Sequence, residues 1–252
     1  MAHVLQLTDT HLYAGADSEL YHINTRRSLQ SVIYHARHSL PEIDLVLVTG
    51  DLVHDESRDG YQALQELMGA ISSPVYYISG NHDDPGLMQQ VLTTYDGSGF
   101  QVTTYENWSI LLLDSAVNGC VDGEISQHIL NQLDAYLEKH ANVSVLVALH
   151  HHVLNIQSPW LDALNLRNGE EFMRILERHK QVKAVINGHI HQELDEYRNA
   201  IRYLGTPSTC FQFMPRQDQA AIDTKPPGYR YLVLGDDGSV KTQVFYVDEE
   251  GS

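Results

Sequence analysis

The chain has 252 residues with 16 basic and 33 acidic side chains, a formal charge of −17. So acidic a surface repels polyanions, which excludes nonspecific binding of nucleic acid polymers or anionic membranes but leaves room for a small anion at a locally positive spot. Apolar residues make up 42% of the chain, enough for a substantial core, and one α/β domain over residues 1–252 is the simplest organisation.

HVLQLT (3–8) predicts a strand. In NTRRSLQSVIYHARHSL (24–40), Leu29, Val32, Ile33 and Ala36 fall at helical spacing. DLVLVT (44–49), bounded by Pro41 and Gly50, predicts a buried strand. Residues 57–71 return to helical spacing through Tyr61, Leu64, Leu67, Met68 and Ile71, and PVYYIS (74–79) is again a strand. WSILLLD (108–114) predicts a strand, 126–140 a helix, VSVLVAL (143–149) a strand, 169–180 a helix and VKAVIN (182–187) a strand. The last sixty or so residues favour hairpins, with an Asp237–Gly238 turn between YRYLVLG and VKTQVFYV. DEEGS reads as a solvated end. Cys120 and Cys210 match no metal spacing and read as free thiols of a reduced compartment. MAHVLQLTDTH has no leader pattern, and no apolar run approaches the roughly 20 residues of a membrane span. The expected location is the cytoplasm.

Polar residues gather at the C-terminal ends of five apolar runs. They are Asp9-Thr10-His11, Gly50-Asp51, Gly80-Asn81-His82-Asp83, His150-His151-His152 and Gly188-His189-Ile190-His191. Ligand sites of open α/β sheets form at such strand ends. Residues two apart in an extended segment point the same way, which pairs Asp9 with His11 and His189 with His191. Glycines at 50, 80 and 188 relieve crowding where the backbone turns beside an ion. Oxygen and nitrogen donors without thiolate suit iron, manganese or zinc. Seven or eight donors exceed one such ion, so two ions sharing a carboxylate is the economical arrangement. Each short motif alone is a common accident, whereas their order after five strands is not.

TDTH (8–11), GDLV (50–53), GNHD (80–83), LHHH (149–152) and GHIH (188–191) together resemble the calcineurin-like metallophosphoesterases, over roughly residues 3–210. GHIHQELD (188–195), TPSTCFQF (206–213), SPWLD (158–162) and LRN (166–168) make the chain most similar to the bacterial class III 3′,5′-cyclic AMP phosphodiesterases of that family. The resemblance implies a four-layer αββα sandwich with a mixed sheet and a β-rich C-terminal segment, 211–248. It implies two metal ions, iron with manganese or two irons, with zinc possible. Asp9, His11, Asp51 and His191 would hold one, and Asp51, Asn81, His150 and His189 the other. The nucleotide would contact His11, Asp51, Asn81, His82 and His191.

Such a site would hydrolyse cyclic AMP to 5′-AMP. A hydroxide held between ions about 3.5–4 Å apart would attack phosphorus. His82 is the candidate catalytic residue, protonating the departing 3′ oxygen. Neutral Asn81, in place of a third carboxylate, keeps the site positive. Two other readings stand beside this: a broader phosphodiesterase for glycerophosphodiesters or 2′,3′-cyclic nucleotides, and a metal-free scaffold, which would be expected to lack ligands that this chain retains.

Within LHHH, His150 is the expected ligand. Strand alternation turns His151 to the opposite face and makes His152 the rival. The chain is expected to leave the strand there, setting both behind the ligand or beside the substrate. Asp83 is expected to cap a helix starting near Pro85. His54 and Asp55 read as loop residues close to the Gly-Asp motif. His3, His35, His38, His128, His140 and His179 read as surface or packing residues. Three readings apply to residues 211–252: closing the sheet, covering the site or joining two copies.

Overall fold

The computed structural model describes residues 1–248; apart from Asp248, the expected solvated end lies outside them. The first half runs β1 (Ala2–Leu7), β2 (Glu19–Leu20), β3 (Ile23–Asn24), α1 (Thr25–Ser39), β4 (Leu45–Thr49), α2 (Arg58–Met68), β5 (Val75–Ile78), α3 (Pro85–Val91), β6 (Phe100–Tyr105) and β7 (Trp108–Leu113). The second runs α4 (Gln127–Lys139), β8 (Ser144–Ala148), α5 (Pro159–Asp162), α6 (Gly169–Glu177), β9 (Val182–Asn187), β10 (Leu194–Arg198), β11 (Ile201–Gly205), β12 (Gly228–Leu234) and β13 (Val240–Tyr246). The strands form two mixed sheets, β13-β12-β1-β4-β5 and β10-β11-β9-β8-β7-β6, and a small β2-β3 ribbon.

Period-two alternation fixes the layers. Val4, Leu45, Leu47 and Leu232 of the first sheet meet Trp108, Ile110, Leu146, Ala184 and Ile186 of the second in one buried seam. The intervening residues Leu5, Leu7, Val46 and Val48 face outward and are covered by Leu29, Val32 and Ala36 of α1, Tyr61 and Leu64 of α2, and Met88 of α3. Leu111, Val145, Val147 and Val185 face the other way, under Leu130, Leu133 and Leu137 of α4 and Phe172 and Leu176 of α6. This is the expected αββα sandwich. No helix among the described residues is long and apolar enough to cross a membrane.

The seam turns polar towards the strand ends. Gln6 donates to Thr49 Oγ1 at 3.0 Å and accepts from Thr206 Oγ1 at 2.6 Å. The C-terminal segment does two things. β12 and β13 extend the first sheet beyond β1, and residues 206–213 return to the strand ends.

Two local readings change. The helix after GNHD is capped by Asp84, whose side chain accepts from Gly86 and Leu87 N–H, because Asp83 is occupied elsewhere. β6 carries a polar, half-exposed edge sequence, FQVTTY, that gives no apolar-run signal.

Candidate metal centre

Loops after β1, β4 and β5 in one sheet and after β8 and β9 in the other meet at one edge of the sandwich. The local backbone is not the extended one that the Asp-x-His and His-x-His spacings suggested. Asp9 (φ 53°), His11 (44°), Asp51 (50°), His189 (67°) and His191 (47°) all lie in the left-handed region. Non-glycine residues rarely adopt it, and such strain concentrates at functional sites. Glycines admit these turns by lacking a side chain. A Cβ on Gly80 would stand 2.2 Å from Asp51 Oδ1, and one on Gly188 2.0 Å from Thr8 Oγ1.

The sequence-selected residues converge. His191 Nε2 lies 3.1 Å from Asp9 Oδ1 and 3.4 Å from His11 Nε2. Asp51 lies between two groups, with Oδ2 3.8 Å from His11 Nε2 and Oδ1 3.4 Å from His150 Nε2. Asn81 Oδ1 lies 3.3 Å from His150 Nε2. The backbone N–H of His189 donates to both oxygens of Asp9, at 3.2 and 3.1 Å. His82 N–H donates to Asp51 Oδ1 at 2.9 Å, while its ring stacks on His54, centroids 4.6 Å apart.

These donors fit metal ions. Asp9, Asp51, His11, His150, His189 and His191 are all buried, and buried charges are costly unless paired or bound to metal. His189 Nε2 has no hydrogen-bond partner among the described residues. Burial opposes ionisation of Asp9 and Asp51, but His191 beside the first and His150 beside the second hold both carboxyls below their ordinary range. Burial would likewise lower His150, yet Asp51 overrides it and pushes the imidazole up to about 9. The position therefore favours positive charge. Burial drives His11 down to about 3 and His189 well below its ordinary value, leaving neutral rings with lone pairs to offer. A favoured positive charge beside neutral imidazoles and two carboxylates is what a pair of cations requires.

The three consecutive histidines separate. β8 ends at Ala148, so all three follow the strand. His150 Nε2 faces Asp51, and its Nδ1 lies 2.9 Å from Thr49 O. His151 lies near His150 and His189, but both its nitrogens are engaged, Nδ1 with Ser115 Oγ at 2.9 Å and Nε2 with Val121 O at 3.1 Å. His152 stacks on the His189 ring at 5.7 Å, and its Nε2 lies 3.9 Å from Asp162 Oδ1.

Sequence reasoning missed several participants. Asp83 accepts from Leu52, Val53 and Gly80 N–H and from Tyr61 Oη–H, bracing the Gly-Asp turn. Burial, reinforced by Asp51, pushes its carboxyl up to about 7. His54 lies against His11 and His82. A cavity of about 250 Å³ opens over the centre, walled by Leu20, Tyr21, Val121, Trp160, Phe211 and Phe213. The alternation in FQF was a usable signal, since it lets Phe211 and Phe213 share a side.

The calcineurin-like phosphoesterase family matches residues 2–193, and the chain belongs to that family. It is 40% identical over 242 residues to a 3′,5′-cyclic adenosine monophosphate phosphodiesterase of Haemophilus influenzae, covering 96% of this chain and 88% of that one. It is 37% identical over 241 residues to a 3′,5′-cyclic-nucleotide phosphodiesterase of Nostoc, covering 96% and 91%. A dimetal phosphatase from Danio rerio shares the fold, with a TM-score of 0.70, 16% identity and 99% of each chain covered.

Proposed function

We propose that the protein hydrolyses 3′,5′-cyclic AMP to 5′-AMP at a centre of two metal ions. The observation that carries this reading is the buried convergence of oxygen and nitrogen donors at the floor of an aromatic-walled cavity. The 40% identity to a cyclic AMP phosphodiesterase supports the substrate. Asp9, His11, Asp51 and His191 would hold one ion, and Asp51, Asn81, His150 and His189 the other. Asp51, whose Oδ2 faces His11 and Oδ1 faces His150, is the carboxylate that would be shared between the two sets. The thiolate-free donor set suits iron, manganese or zinc; the resemblance to class III cyclic AMP phosphodiesterases puts iron with manganese or two irons first, with zinc as the third option. Elemental analysis of the protein as purified distinguishes them.

Two cations bound there would supply charge neutralisation at the phosphoryl group and a more acidic water. The side chains do the rest. His11, Asp51, Asn81, His82 and His191 line the cavity and contact the nucleotide. As the bond between phosphorus and the 3′ oxygen breaks, His82 gives that oxygen its proton, a step for which an imidazole is suited near neutral pH. Its backbone anchor on Asp51 and its stacking on His54 hold the ring at the wall. Tyr21, Trp160, Phe211 and Phe213 offer π-faces to the base. The charge of −17 favours a small substrate over a polyanion.

The test is a panel for the metal-loaded protein: cyclic AMP, cyclic GMP, 2′,3′-cyclic AMP and a glycerophosphodiester. Cyclic AMP turnover to 5′-AMP is expected to lead. No cyclic AMP turnover beside good turnover of another diester overturns the reading in favour of the broader phosphodiesterase.

A further inference from the structure

A ligating imidazole has a second nitrogen, and the hydrogen bond from that nitrogen fixes both tautomer and ring orientation. His150 and His191 use backbone carbonyls for this, Thr49 O at 2.9 Å and Phe211 O at 2.8 Å. His11 differs. Its Nε2 faces Asp51 and His191, and its Nδ1 lies 3.2 Å from Nδ1 of another imidazole, His54.

We propose that His54 is a positioning residue for His11, accepting the Nδ1–H of His11 at its own unprotonated Nδ1 and thereby leaving the Nε2 lone pair of His11 free for a cation. The proposal rests on reading His11 as a metal ligand. Proton placement follows from the geometry. A neutral imidazole carries one proton. On Nε2 of His11 it would occupy the side facing Asp51 and His191, so a ligating His11 carries it on Nδ1, where His54 is the partner. His54 in turn keeps its proton on Nε2.

The fold holds His54 for this task. Its backbone N–H donates to Leu12 O at 2.7 Å, and Leu12 and Val53 form a parallel bridge, so the loops carrying His11 and Asp51 are stitched together. The ring lies between Tyr13, at 5.1 Å, and His82, at 4.6 Å and 23°. Acceptor and stacking roles can therefore be separated by substitution. His54→Phe keeps a flat ring against His82 and removes the acceptor, while His54→Gln removes the ring and restores an acceptor oxygen.

The test titrates Mn²⁺ into metal-stripped protein and follows free Mn²⁺ by electron paramagnetic resonance. His54→Phe is expected to weaken one of the two bound ions by about 10–100-fold, the range for loss of such a partner, with the other ion unchanged. His54→Gln is expected to recover most of that loss, with the stripped variants melting close to the wild-type protein. A purely packing role would leave His54→Phe at wild-type affinity, and that result overturns the proposal, as do equal losses in both variants. His11→Ala is run alongside. Retention of both ions there removes His11 from the ligand set and the proposal with it. Loss of one ion there, with wild-type binding in His54→Phe, overturns the His54 assignment alone.

Discussion

His82 and Asp51 are joined through a backbone hydrogen bond rather than a side-chain one, so deleting the His82 ring leaves the carboxylate's anchor in place. His82→Ala is therefore expected to bind both ions and lose about 10²–10⁴-fold in kcat, the usual share of general acid catalysis. Near-wild-type turnover would remove the assigned role. His150 and His151 make a second contrast. His150 turns Nε2 towards Asp51 and Asn81, whereas the nitrogens of His151 are both committed to Ser115 and Val121. In metal analysis, His150→Ala is expected to lose one ion and His151→Ala to keep two. One ion missing from both variants would put His151 in the ligand set.

At the scale of elements, the centre is made of strand-end turns. Gly80 passes so close to Asp51 that a methyl group at its Cβ position would overlap both the Oδ1 and the backbone nitrogen of that residue. Gly80→Ala is expected to displace the Asp51 carboxylate and cut metal occupancy, with far-ultraviolet circular dichroism close to wild type because no strand pairing is touched. Full occupancy would show that the turn yields more easily than the contact distance indicates. The strands themselves were legible because their apolar runs are buried almost throughout, LVLVT completely and VKAVIN at every position but Lys183. The donors were legible because Asp, Asn and His follow those runs in order. The left-handed turns were not, since φ is set by contacts between loops distant in sequence. Asp83 was misread as a cap because its partners at Leu52, Val53 and Tyr61 come from another segment. For His54, sequence proximity to Asp51 was visible, but its pairing with His11 needs the two loops side by side.

Over the whole molecule, Arg230 ties the sheets together near the strand ends. From β12 it donates to Thr206 Oγ1 at 3.1 Å, Leu194 O at 3.1 Å and Gly205 O at 2.7 Å, all belonging to the second sheet or its exit loop. Its side chain is buried. Arg230→Met is expected to cost about 1–3 kcal/mol through loss of the buried hydrogen bonds to Thr206 and Gly205. Denaturant unfolding reads this as a lowered midpoint, and an unchanged midpoint would mean that water or a neighbour substitutes.

The position of β1 has a consequence for synthesis. β1 delivers Asp9 and His11, and it lies between β4 and β12, the latter spanning Gly228–Leu234. All seven proposed donors have been translated by His191, yet the strand made first still lacks one of its two neighbours. A nascent chain at that stage presents an open strand edge, the kind of surface that recruits other chains. A polypeptide ending at residue 213 would hold every recognisable motif and is expected to aggregate rather than take up metal. The length of chain that spells out the chemistry is shorter than the length that can perform it.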